Sequence, residues 1–243
     1  MKIVGIIPAR YASTRLPGKP LIDIGGKSMI ERVYNQVSLC PALHEVIVAT
    51  DDERIEEHIK SFGGNVVLTS PYHQSGTDRC GEAAKNLGYL PDVVLNIQGD
   101  EPFIDPLQIS RLAQVFITQP QSQIVSLYKV MNNEADAQNP NTVKVVTDIS
   151  GAALYFSRNV IPYRRSPMAQ IVYKKHIGIY GYRMDVLNHI CSLKPSELEI
   201  AESLEQLRWI ENGLKITMCQ TEIEGLSIDT PDDLKLVENY LKK

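Results

Sequence analysis

Cysteine is scarce and scattered in this chain. Cys40, Cys80, Cys191 and Cys219 include no CxxC pair, so the spacing offers neither a zinc site nor a redox dithiol, and reduced thiols are expected. Long apolar runs are missing too. No stretch is long enough to span a bilayer, and the apolar run after Lys2 is broken by Pro8 and Arg10, too short for a signal peptide. A cytoplasmic location and no membrane partner are the resulting expectations. No repeat, low-complexity tract or linker interrupts the 243 residues, a length that suits one α/β domain or a domain with an insertion. With 25 Lys and Arg against 29 Asp and Glu the formal charge is −4, which disfavours non-specific binding to nucleic acid. One local absence matters more: no acid precedes Asp23, while Lys2, Arg10, Arg15 and Lys19 all fall before it.

Three of those cations lie in GIIPARYASTRLPGKPL, residues 5–21, a Pro- and Gly-punctuated loop that follows a short apolar strand. Fixed cations and free backbone N–H groups at the end of a first strand are how α/β proteins hold nucleotide phosphates. A plain surface turn with solvated charges is the competing interpretation. The concentration of one sign in a chain of negative balance favours a small anionic ligand.

Apolar runs and helical patterns alternate through the first half. Strands are expected at 2–7, 45–50, 65–68 and 93–97, with helices at 29–38, 54–61 and 80–87 between them. Ser28, with Glu31 three residues on, marks the first helix start. This βαβα order predicts an α/β fold with a doubly wound, mostly parallel sheet. After a helix at 107–118 the rhythm changes to strands at 124–130, 143–147, 153–156 and 177–182, with a hairpin turn at 148–151. Helices at 186–193 and 200–212, a strand at 214–219 and a helix at 231–241 complete the chain. The expected organisation is one nucleotide-binding domain over 1–243 carrying a β-rich insertion near 124–183.

The run VVLNIQGDEP at 93–102 delivers a polar cluster at a strand's carboxyl end, where open α/β sheets bind ligands. Asp100 there can converge with the cationic loop on one anion through Mg²⁺, or can simply bond nearby backbone in a turn. Asp229, in LSIDTPDDL, reads by itself as a helix start. GGKS at 25–28 imitates the end of a P-loop, but Leu21 stands where that motif needs its first Gly.

Taken together, IIPARYASTRLPGKPL at 6–21, HQSGTDR at 73–79, NIQGDEP at 96–102, HIGIYGYR at 176–183, LEQLR at 204–208 and IDTPDDL at 228–234 closely resemble the 3-deoxy-manno-octulosonate (KDO) cytidylyltransferases. The matches are in order and run nearly end to end. The resemblance implies a nucleotide-diphospho-sugar transferase-like fold, CTP and KDO as substrates, Mg²⁺ as cofactor, a homodimer formed through the β-rich insertion, and a role in lipopolysaccharide biosynthesis. It places Arg10, Ser13, Arg15 and Lys19 on the triphosphate, Arg79 and Gln98 near the cytidine, and Asp100 and Asp229 on the metal. Lys19 joins these two carboxylates as a catalytic candidate. For the sugar it points to Arg158, His176, Tyr180, Glu205 and Gln206. The chain departs from the family pattern around 162–171, where Arg164 and Arg165 have no assigned role. A relative using an 8-amino analogue of KDO shares most of the same blocks.

Three other readings stand beside this one. A metal-dependent glycosyltransferase usually presents Asp-x-Asp, whereas this chain offers Asp100-Glu101. A catalytically silent module would bind CTP without turnover. A sialic-acid cytidylyltransferase has a similar nucleotide loop, but HQSGTDR and HIGIYGYR favour KDO.

Overall fold

The computed structural model describes residues 1–12, 16–166, 168–228, 230, 232–235 and 237. The chain forms two compact units, one of residues 1–114 with 225–243, the other of residues 115–224.

In the first unit, β1 (Ile3–Ala9), β2 (Glu45–Thr50), β3 (Val66–Leu68) and β4 (Val93–Asn96) alternate with α1 (Met29–Ser38), α2 (Glu53–Ser61) and α3 (Gly76–Lys85). The strands lie in the order β3-β2-β1-β4, all parallel. This is the α/β, doubly wound arrangement expected from the βαβα order. The order reverses at β1: β2 and β3 lie on one side of it, β4 on the other. β1 and β4 therefore open a crevice at their carboxyl ends, with Ile6 paired to Asn96 near its floor.

Sequence accounts for these elements locally. β1 is an apolar run covered on both faces, as parallel strands are. α1 buries Met29, Ile30, Val33 and Val37, three and four residues apart, and Ser28 Oγ accepts the Glu31 amide at 3.2 Å as N-cap. α3 starts at Ser75, whose hydroxyl accepts the Asp78 amide at 3.1 Å. That start is earlier than the expected 80, because the cap precedes the apolar stripe.

α4 (Pro106–Thr118) leads into the second unit, built on β5 (Ile124–Val130), α5 (Glu134–Ala137), β6 (Lys144–Thr147), β7 (Ala153–Ser157), β8 (Lys174–Arg183), α6 (Met184–Ile190), α7 (Glu197–Glu202), α8 (Glu205–Glu211) and β9 (Ile216–Gln220). β5 pairs antiparallel with β8 and parallel with β9, and β6 pairs antiparallel with β7. The expected β-rich stretch at 124–183 falls inside this unit, which continues through α6, α7, α8 and β9. The turn at 148–151 joins β6 to β7, with Asp148 Oδ1 accepting the amides of Ser150 and Ala152.

The helix expected over 200–212 is instead two helices. Ser203 takes a left-handed conformation (φ 52°) between α7 and α8. The helix expected over 231–241 lies mostly outside the described residues, but Asp232–Lys235 are helical.

Candidate active site

In the first unit the cationic loop leaves the end of β1. Arg10 follows Ala9 directly and is exposed. Tyr11 lies under the Arg54 guanidinium, 3.3 Å from ring centroid to Cζ. The loop closes where the Gly18 amide donates to the Tyr11 carbonyl at 3.1 Å. Gly18 has φ +67°, and a Cβ there would meet the Tyr11 ring at 3.1 Å, so a side chain is excluded twice over. A single 3-10 turn, Lys19–Leu21, follows and aims Lys19 back at the sheet. Ser13 and Arg15 lie outside the described residues.

From β4 the ladder continues one step further, the Ile97 amide donating to the Ile6 carbonyl at 2.9 Å. Gly99 then passes so close to β1 that a Cβ on it would stand 3.0 Å from the Pro8 carbonyl oxygen. Asp100 emerges beside the loop, and Lys19 Nζ donates to its Oδ2 at 2.8 Å. Gln98 and Asp100 are both half-buried. Asp229 lies outside the described residues. Its neighbour Ile228 is fully buried against Ile24 and Met29, and the Ile228 amide donates to the Asp100 carbonyl at 3.0 Å.

Arg79 is elsewhere in the same unit. It is 1% exposed on α3, donates to Thr69 Oγ1 at 2.6 Å and stands 3.3 Å from Asp51 Oδ2. Thr69 in turn bonds the Thr50 carbonyl through both its amide and its hydroxyl. Arg79 thereby ties α3 to the carboxyl ends of β2 and β3. Sequence gave no hint of Asp51 and Thr69 as its partners, since each is an ordinary strand-end residue when read locally.

The five sugar candidates lie in the second unit. His176 on β8 shares a hydrogen bond with Ser126 Oγ at 3.1 Å and packs edge-on to Phe156, its ring 5.3 Å from Tyr180. The residue keeps some exposed surface, but these groups enclose the ring, and burial pushes its pKa down to about 3. The imidazole is therefore neutral at physiological pH. Tyr180 stacks on Tyr182 and meets Trp209 edge-on at 5.0 Å. Burial, and then the charge of Glu205, push its hydroxyl pKa well up. That hydroxyl has no hydrogen-bond partner among the described residues.

Glu205 and buried Gln206 open α8. Arg158, just after β7, donates from Nε to the Glu202 carbonyl at 2.8 Å, from Nη1 to Pro140 at 3.2 Å and from Nη2 to Ser203 at 3.5 Å. It holds the break that precedes α8. Arg164 is ion-paired with Glu134 at 2.9 Å. Hence His176 and Tyr180 pack together and the charge of Glu205 acts on Tyr180, with Arg158 joined to the start of α8 through residues 202 and 203. Trp209 and Lys144, unremarked in the sequence, belong to this neighbourhood.

Asp100 is a described residue of the first unit that could hold a phosphate-bound divalent cation. Asp100 is a partly exposed carboxylate already facing a cation, Lys19, and Mg²⁺ bound to phosphates needs only one or two protein carboxylates. Among the described residues no group of three His, Cys, Asp or Glu side chains is arranged to hold a metal without such phosphates. No helix among them is long and apolar enough to cross a membrane.

Residues 4–216 match a family model described as cytidylyltransferase. A Cytophaga hutchinsonii protein named 3-deoxy-manno-octulosonate cytidylyltransferase is 53% identical over 240 residues, covering 96% of this chain and 95% of its own. A Bacteroides thetaiotaomicron protein of the same name is 52% identical, covering 100% and 99%. Among solved structures, a CMP:2-keto-3-deoxy-manno-octonic acid synthetase complexed with CTP superposes with TM-score 0.94 at 42% identity, covering 100% of this chain and 99% of that one.

Proposed function

This chain belongs to the 3-deoxy-manno-octulosonate cytidylyltransferase family, and on that premise we propose that it transfers CMP from CTP to the anomeric C2 hydroxyl of KDO. The C2 oxygen loses its proton to solvent and bonds to the α-phosphorus, the bond from that phosphorus to the bridging oxygen of the β-phosphate breaks, and pyrophosphate leaves with that oxygen. The observation that carries this reading is the Lys19–Asp100 contact at the carboxyl ends of β1 and β4, where strand order reverses.

In this reading Arg10, Ser13, Arg15 and Lys19 hold the triphosphate through charge-assisted hydrogen bonds. Gln98 selects the base, and Arg79 supports that edge by fixing α3 to the ends of β2 and β3. Asp100 and Asp229 would hold Mg²⁺, and that ion would supply neutralisation of phosphate charge and a more acidic attacking hydroxyl. Arg158 meets the sugar carboxylate with guanidinium donors beyond the three given to backbone carbonyls. Neutral His176, with Tyr180, Glu205 and Gln206, bonds the sugar hydroxyls. A histidine with so low a pKa is a poor general base, so these residues orient rather than take the proton. Rate enhancement comes from positioning and charge neutralisation.

We place the enzyme in the cytoplasm, as a homodimer that activates KDO for lipopolysaccharide. The strongly exposed apolar side chains Tyr163 and Met168 support a contact surface in the second unit. The test is a substrate panel: CTP and UTP, each with KDO, 8-amino-KDO and sialic acid plus Mg²⁺, followed by pyrophosphate release. Turnover is expected with CTP and KDO. Preference for 8-amino-KDO or sialic acid would reassign the sugar, and absence of pyrophosphate in every arm would overturn the reading.

A further inference from the structure

Lys144 on β6 is 0% exposed. A fully buried ammonium is uncommon unless its donors are taken up. Here three backbone carbonyls take them: Thr142 at 2.6 Å, Asn139 at 3.0 Å and Arg158 at 2.5 Å. The first two are local and would suffice to tie a turn. The third reaches across to the residue after β7.

Arg158 is gripped from its other side as well. Its amide donates to Glu202 Oε2 at 2.9 Å, and Ser157 Oγ donates to the other oxygen of the same carboxylate at 2.5 Å. A buried cation thus holds the carbonyl of Arg158 while a carboxylate holds its amide. With both polar backbone groups fixed, the direction in which the side chain leaves the backbone is fixed too. The guanidinium, already bonded to three backbone carbonyls, is thereby presented in one direction, so less freedom is lost when its remaining donors engage a ligand.

We propose that Lys144 is a positioning residue for the acidic sugar, acting through Arg158, whose backbone carbonyl it holds. This rests on the proposed function and on Arg158 meeting the sugar carboxylate. The test is Lys144→Met, which keeps the apolar stem and removes the ammonium, made in wild-type and in Arg158→Ala backgrounds, with KM for KDO and for CTP measured by pyrophosphate release.

In the wild-type background KM for KDO is expected to rise about tenfold while KM for CTP stays within about twofold. In the Arg158→Ala background, itself raised in KM for KDO, Lys144→Met is expected to add less than about twofold, because the route of its effect is gone. The same tenfold rise in both backgrounds overturns the proposal, as does a parallel rise in KM for CTP or an Arg158→Ala enzyme with normal KM for KDO. Wild-type protein inert towards CTP and KDO overturns the parent reading along with this one, so the two failures are distinguishable. Should Lys144→Met fail to fold, Glu202→Gln loosens the other side of Arg158. A KDO-specific rise of about threefold then supports the proposal, and no change overturns it.

Discussion

Lys19 Nζ donates to Asp100 Oδ2 across 2.8 Å, joining the loop after β1 to the end of β4. The two side chains retain 13% and 29% exposure, so the contact is shielded yet open to a ligand. Their expected roles differ, and so do the outcomes of changing them. Asp100→Asn keeps the shape but removes the carboxylate charge that would hold Mg²⁺, the ion that would offset the charge on the phosphates. Turnover should fall on the order of 10²-fold or more with the protein still folded. Lys19→Ala should chiefly raise KM for CTP. A near-normal rate in the first variant, or an unchanged KM in the second, would contradict these assignments.

Gly99 sets how closely β4 approaches β1. Gly99→Ala places a methyl 3.0 Å from the Pro8 carbonyl oxygen, a backbone atom that cannot swing away. The ends of the two strands must part. Overpacking of this kind costs about 1–3 kcal/mol, and KM for CTP should rise with it because the loop begins two residues after Pro8. Urea denaturation and initial rates check both effects.

Burial holds the His176 pKa at about 3 in the folded chain, below the ordinary 6.5. The unfolded chain therefore binds the extra proton first as pH falls. The contribution to stability is complete above about pH 6.5 and is lost progressively towards pH 3. At pH 5 the loss should be on the order of 1–2 kcal/mol, the lower value allowing for the residue's remaining exposure. His176→Phe should flatten that part of the profile, measured as the change in urea midpoint between pH 7 and pH 5. An equal acid loss in both proteins would show that other groups carry it.

How much of this was legible in the sequence depended on the range of the interactions. The β1 loop and the β4 end could be read because clustered cations, Gly, Pro and an apolar strand are all local features. That residue 228 lies beside Asp100 was legible only through the family resemblance, since the Ile228 amide bond joins segments that no local pattern links. The break at Ser203 was missed because Leu204 and Leu207 carry an uninterrupted apolar stripe with no Gly or Pro to mark it. The resemblance places Arg79 near the cytidine, and only the fold shows Thr69 and Asp51 beside it. Lys144 sits among valines, and only the fold reveals the carbonyls that satisfy it.

Arg208 extends this point to α8, which carries Glu205 and Gln206. Its guanidinium holds Glu199 with two bonds, Nε to Oε2 at 2.8 Å and Nη2 to Oε1 at 2.7 Å, and donates to the Leu193 carbonyl at 3.0 Å. The side chains are 8% and 15% exposed, so removing one partner leaves the other charged in a poorly hydrated place. Arg208→Ala should cost about 3 kcal/mol. Glu199 also closes the capping box of α7 with Ser196, so the damage should spread to the break before α8. KM for KDO should rise while KM for CTP does not, because the nucleotide candidates lie in the other unit. Replacing both residues, Arg208→Met with Glu199→Met, should recover much of the stability, since a well-packed apolar pair avoids the stranded charge. If the double variant is as unstable as Arg208→Ala, the bonds to Leu193 and Ser196 matter more than the ion pair.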